Sequence, residues 1–329
     1  MVGSALYFTA PRSVEPRSVE VGPPGPEEVA VETAASAISA GTELLVYRDQ
    51  APSNARLDET IETLNGDFSY PVRYGYAAAG EVTAVGDRVD DDWLGRTVFS
   101  FAPHQTRFTE EPARLVEIPP EMGAETAALL PSFETATNLT LDVAPRIGEE
   151  AVVFGAGVIG LCTTRLLAGF PLDRLTVVDP IARRRGVARE FGADETLHPD
   201  GLEDHVDDVD VAVELSGRPE VLDDALDAVG YDGRVVVGSW YGTKRSPLNL
   251  GGRFHRDRIA IESSQVSTID PALRGRWDTE RRLAVALDRL GETDADELIT
   301  HRVPFANAAE AYDLLDRRPE EALQVVLTY

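Results

Sequence analysis

Val152-Val153-Phe154-Gly155-Ala156-Gly157-Val158-Ile159-Gly160 is an apolar, β-prone run that passes directly into Gly-x-Gly-x-x-Gly and then into a helical pattern. The glycine pattern alone is a weak signal, but between a strand and a helix it specifies a turn that cradles a pyrophosphate. Gly155 suits the tight turn, Gly157 the close approach of backbone to phosphate, and Gly160 the close packing of helix and sheet. Val158 and Ile159 open the helix, where unpaired N–H groups and the macrodipole favour negative charge.

Outward from this stretch the chain alternates. Strands are predicted at Ala151–Phe154, Leu175–Val178, Asp210–Glu214 and Arg234–Gly238, with helices over 158–168, 182–191 and 220–229. Such alternation predicts βαβ units, hence an α/β fold with a doubly wound parallel sheet. Asp179 closes the second strand, where an acid accepts hydrogen bonds from ribose hydroxyls and repels a 2′-phosphate, so NAD is expected. The cluster Arg183-Arg184-Arg185 works the other way, because Arg184 could take that phosphate, and NADP stays open.

Before this region, Glu28–Thr33, Gly80–Val89, Arg96–Phe101 and Ala113–Ile118 read as short strands between Gly and Pro turns, predicting an antiparallel, barrel-like sheet. A helix is expected over Ala124–Leu141. The tail, with helices Glu280–Leu290 and Ala308–Leu315 and a strand Leu323–Thr328, is too short for its own core and is expected to pack on the first domain. The expected domains are 1–122 with 276–329, and 123–275.

Composition narrows the partners. The 329 residues carry 57 acidic and 31 basic side chains, a net charge of -26, with 43% hydrophobic residues. Such a chain repels phosphate backbones and anionic lipid, so a small-molecule substrate is expected, with no nucleic acid and no membrane. Lys244 is the only lysine among the 31 basic residues, a balance that suits screening by high salt and suggests a halophilic protein. Cys162 stands alone, excluding an intrachain disulfide and a Cys-rich zinc knuckle. With no apolar run of about 18 residues and no leader pattern over Met1–Ala10, a cytoplasmic location is expected.

A Gly-rich β-barrel start, the Gly155–Gly160 unit, Gly192-Ala193-Asp194, Glu214-Leu215-Ser216-Gly217, the run Leu298–Phe305 and Glu310–Leu315 together resemble the medium-chain dehydrogenase/reductase superfamily, the alcohol dehydrogenase-like enzymes. The resemblance covers almost the whole chain. It implies a GroES-like β-barrel catalytic domain plus a Rossmann domain, NAD(P) held by Gly155, Gly157, Val158, Ile159, Gly160, Asp179, Arg184 and Ser216 in the interdomain cleft, and homo-oligomers. Ser39-Ala40-Gly41-Thr42-Glu43, Phe101–Gln105, Phe254–Arg258 and Ser263–Ser267 are similar to bacteriochlorophyllide oxidoreductase-like proteins.

The family's zinc ligands come from a Cys-Gly-Ser/Thr-Asp element and a Gly-His-Glu-x-x-Gly element. Here the Cys position falls on Ser39 or Ala40, and the His and Glu positions fall on Tyr76 and Ala77. Neither Ser nor Tyr is a usual zinc ligand, so the chain resembles a zinc-independent branch and no metal is expected. A side chain must then exchange the proton that accompanies hydride transfer. Tyr76 and Thr42 occupy the positions nearest the reacting oxygen; His104, Glu134 and His255 are further catalytic candidates, and His301 reads as a packed tail residue. A residual metal site from Glu43, His104 and Glu134 is the alternative. The expected activity is hydride transfer between nicotinamide and a hydroxyl/carbonyl pair. A quinone or enoyl reductase and a non-catalytic dinucleotide sensor are the competing readings.

Overall fold

The computed structural model describes residues 2–61 and 63–329, and for Glu203 and Asp204 the backbone alone. The chain forms two units, Met1–Pro131 with Leu290–Tyr329, and Ser132–Arg289.

The second unit is the alternating region. Its six strands are all parallel, in the order Glu195–Leu197, Arg174–Val178, Glu150–Phe154, Val209–Glu214, Val229–Val237, Ala260–Ser263. Chain order reverses between Glu150–Phe154 and Val209–Glu214, the point at which doubly wound sheets open a crevice for ligands. These central strands are continuous apolar runs because helices cover both faces: Val152, Val153, Val211, Ala212 and Val213 are fully buried. Glu195–Leu197 and Ala260–Ser263 went unpredicted, being short and poor in apolar residues.

In the first unit, a seven-stranded sheet runs Ile299–Pro304, Gln324–Thr328, Val29–Ala37, Ala78–Val85, Thr97–Ser100, Val116–Glu117, with Arg107–Glu110 paired to Val29–Ala37. Val326, Leu327 and Thr328 face Ala37, Ser36 and Ala35, so the tail supplies strands to the N-terminal sheet. A smaller sheet joins Ser13–Glu20, Val2–Ala10 and Val72–Arg73. Phe8, Ile38, Leu45, Leu64 and Tyr312 are among its largest buried side chains.

Three local expectations change. The helix expected over Ala124–Leu141 breaks into Ala124–Ala127 and Leu130–Val143, because Pro131 lacks an N–H and its ring cannot follow a continuous turn. The strand expected over Ala113–Ile118 shrinks to Val116–Glu117, since Pro112 starts a 3-10 turn over Pro112–Arg114. Ala40–Tyr47, read only as a motif, is a helix with Glu43 through Tyr47 buried. Among the described residues, no helix is long and apolar enough to cross a membrane.

Candidate active site

Two polar constellations stand out, one in each unit. In the α/β unit, strand Glu150–Phe154 turns at Gly155, whose φ of +101° and whose approach to Leu215 O (2.7 Å from a built Cβ) admit only glycine. A Cβ on Gly160 would lie 1.9 Å from Gly155 O, so helix Val158–Leu167 closes directly on the turn. At Gly157 a Cβ would meet nothing within 4 Å, and as N-cap it offers no side-chain bond to the first-turn amides. The turn is thus packed at its ends and open in the middle, where donors without intrahelical partners collect. These residues fit a dinucleotide pyrophosphate.

Asp179 is buried and ties this turn to the next strand. Its Oδ2 accepts the Ala156 N–H and its Oδ1 the Ile181 N–H, each at 2.8 Å. Arg185 donates to the Asp179 carbonyl at 2.6 Å, which keeps that guanidinium beside the acid, while Arg184 is half-buried on helix Ala182–Glu190. Ser216 is engaged within its own turn. Its hydroxyl donates to fully buried Glu214 and accepts the Arg218 N–H at 3.1 Å, so it builds the turn after Val209–Glu214. The other Glu214 oxygen accepts the Tyr241 hydroxyl at 2.5 Å.

In the β unit, Tyr76 donates its phenolic hydrogen to Ser39 Oγ at 2.6 Å, and Thr42 sits partly exposed in the first turn of the helix that follows Ser39. Burial pushes the Tyr76 phenol up to about 12, with the Glu43 charge acting in the same direction and the Ser39 hydroxyl contact opposing it. Tyr76 therefore holds its proton near neutral pH and acts as a donor.

Behind this cluster lies a carboxylate with no exposure. Glu43 Oε1 accepts the Ser39 N–H at 2.7 Å, and Oε2 accepts the Tyr312 hydroxyl and stands 3.0 Å from His104 Nε2. His104 Nδ1 lies 2.7 Å from Ser36 Oγ, which meets the Tyr329 hydroxyl at 2.8 Å. An imidazole protonated on Nε2 donates to Glu43 and accepts from Ser36, satisfying every partner. His104 is 0% exposed with both nitrogens engaged, so it supports the site from inside and does not face a substrate. Its ring also explains Gly75: a Cβ there would sit 2.5 Å from His104 Cδ2.

Of the remaining candidates, Glu134 and His255 lie in the α/β unit and His301 in the β unit. Buried Glu134 accepts Arg282 Nη2 at 2.8 Å, and Arg282 also donates to Asn138 Oδ1 at 2.8 Å. Burial raises the Glu134 pKa and the Arg282 guanidinium opposes it, the pattern of an internal ion pair. His255 is exposed on the single turn Arg253–Arg256, where Arg253 binds Asp207, Asp208 and Asp257. His301, on strand Ile299–Pro304, pairs with Thr300 Oγ1 at 2.9 Å.

A zinc of the superfamily's kind does not match these donors. Ala40 and Ala77 have no lone pair, and Tyr76 is a protonated phenol. Glu43 and His104 bind each other, Glu134 belongs to Arg282, and among the described residues no three His, Cys, Asp or Glu side chains are grouped to hold a metal. Sequence reading missed Ser39 as the partner of Tyr76 and Glu43 as the acceptor of the Ser39 N–H. The available signal was Ser39 before a helix with a carboxylate in its first turn, close enough to accept the N-cap N–H.

Comparison with known proteins agrees with this architecture. The profile of the zinc-binding dehydrogenase family matches residues 158–284. D-guloside 3-dehydrogenase of Escherichia coli is 26% identical over 78% of this chain and 77% of its own length. The 2-desacetyl-2-hydroxyethyl bacteriochlorophyllide A dehydrogenase of Cereibacter sphaeroides is 27% identical over 99% of this chain and 98% of its own. The crystal structure of a short chain alcohol dehydrogenase from Escherichia coli CFT073, complexed with NADH, shares the fold with a TM-score of 0.78 and 19% identity, covering 100% of this chain and 99% of that one. Its parallel sheet, its separate β-rich unit and these relatives support a likeness of the chain to the alcohol dehydrogenase-like medium-chain dehydrogenase/reductase superfamily.

Proposed function

We propose that this protein is a nicotinamide-dependent oxidoreductase acting on a hydroxyl/carbonyl pair of a small molecule, and that it works without zinc. The observation that carries the proposal is the Tyr76–Ser39 hydrogen bond, in the segments that correspond to the zinc-ligand elements. When bound, the nicotinamide gives or takes the hydride. The chain must hold that cofactor and handle one proton at the substrate oxygen.

Gly155, Gly157, Val158, Ile159 and Gly160 supply the pyrophosphate turn, and Asp179 supplies a buried carboxylate at the end of the neighbouring strand. That charge favours NAD over NADP, with the Arg183–Arg185 cluster as the opposing influence. Tyr76, kept protonated by burial, donates to Ser39 Oγ, and the pair provides hydrogen-bond donation to an oxygen gaining charge, the role a Lewis acid plays elsewhere. Relatives named for oxidation of guloside and hydroxyethyl groups support the reaction class without fixing the substrate here.

The test is a panel of secondary alcohols, polyols and hydroxyethyl aromatics with NAD and NADP in molar salt, followed by nicotinamide absorbance. Alcohol-dependent NAD reduction is expected. Oxidation of NADH driven only by enones or quinones would replace this reading with alkene reduction, and tight NADH binding without turnover would point to a sensor.

A further inference from the structure

We infer that Ser39 makes the direct contact with the substrate oxygen and is a further catalytic residue, the last donor of a directional pair Tyr76 to Ser39. The inference rests on the oxidoreductase reading above and adds the order of the hydroxyls to it. A serine at a helix N-cap normally turns its oxygen onto the N–H of the second or third helical residue. Ser39 stands at the N-cap of Ala40–Tyr47 and makes no such bond. Its Oγ instead accepts the Tyr76 hydrogen at 2.6 Å.

Accepting that bond leaves the Ser39 hydroxyl with its own hydrogen to give, and among the described residues it has no acceptor. Tyr76 has already committed its hydrogen to Ser39, so a substrate oxygen placed against the pair meets the serine O–H. The backbone of Ser39 is pinned from behind through its N–H to Glu43, which Tyr312 and His104 hold in turn. Ser39 itself is partly exposed while Glu43 and His104 are enclosed. A partly exposed donor on a fixed backbone, backed by a second donor, is the preorganised arrangement that stabilises developing negative charge.

Proton balance follows the same order. As a carbonyl carbon gains a hydride, its oxygen takes the Ser39 proton, Ser39 takes that of Tyr76, and Tyr76, itself partly exposed, is reprotonated from water. One proton enters for each hydride, and alcohol oxidation runs the series backwards.

Full-length protein carrying Ser39→Ala, Ser39→Thr, Tyr76→Phe and the double change Ser39→Ala/Tyr76→Phe is assayed at saturating cofactor, with cofactor affinity and melting temperature measured alongside. Ser39→Ala should lower kcat by about 100-fold or more at unchanged cofactor affinity. Ser39→Thr should recover most of it, and the double variant should be no slower than Ser39→Ala within roughly threefold, since residues acting in series are not additive. Turnover that survives Ser39→Ala but falls with Tyr76→Phe overturns this inference alone. So does a double variant whose loss equals the product of the two single losses. A lack of any nicotinamide-linked turnover in the unaltered chain contradicts the oxidoreductase reading, and this inference with it.

Discussion

Asp179 reaches both neighbouring backbones, accepting from Ala156 in the glycine turn and from Ile181 two residues on. Its carboxylate therefore holds the shape of the glycine turn, and in the function we propose it also sets the charge beside the cofactor ribose. Asp179→Ser should lower the preference for NAD over NADP by about tenfold or more, expressed as kcat/KM. An unaltered chain that already favours NADP would contradict the role given to this acid. Single residues were unevenly legible in the sequence. Gly155 and Asp179 could be read because strand, turn and acid follow one another along the chain. The His104 environment could not, because Glu43 and Ser36 reach it from segments separated by 61 and 68 residues. A histidine on a loop looks available until the fold shows which carboxylate has claimed it.

Helix Ala40–Tyr47 and the pair Leu130–Val143 with Thr279–Gly291 show what elements contribute beyond their residues. The first escaped prediction because Leu44-Leu45-Val46-Tyr47 is apolar without a break and is buried throughout, so no helical stripe appears. Alternating strands and helices in the α/β unit were legible since their periodicities and turn residues agree. Element ends were less so wherever a proline, such as Pro131 or Pro112, cut a favourable run. Between Leu130–Val143 and Thr279–Gly291, Arg282 and Glu134 form a buried ion pair. Arg282→Leu strands the carboxylate and should cost about 3–5 kcal/mol of stability in a denaturant melt. With Glu134 serving the α/β unit's interior, turnover per folded molecule should change little; a large kcat loss at unchanged stability would return Glu134 to the catalytic set.

For the whole molecule, the charge of -26 with a single lysine describes a surface suited to strong screening, and we propose that assays belong in high salt. The fold was legible at this scale because the tail's strand and helices are too few to stand alone, and Gln324–Thr328 does pair with Val29–Ala37. The absence of thiols at the ligand positions was equally plain in the sequence. What the structure adds is the cluster in their place: a donor phenol, the serine hydroxyl that accepts from it and a buried carboxylate holding the serine backbone. The most direct test is to pass untagged protein through chelator, quantify zinc by elemental analysis, and measure alcohol-dependent NAD reduction in molar salt before and after zinc is returned. The account predicts full turnover with zinc far below one ion per chain and no gain on adding it; turnover that rises and falls in step with bound zinc would contradict it.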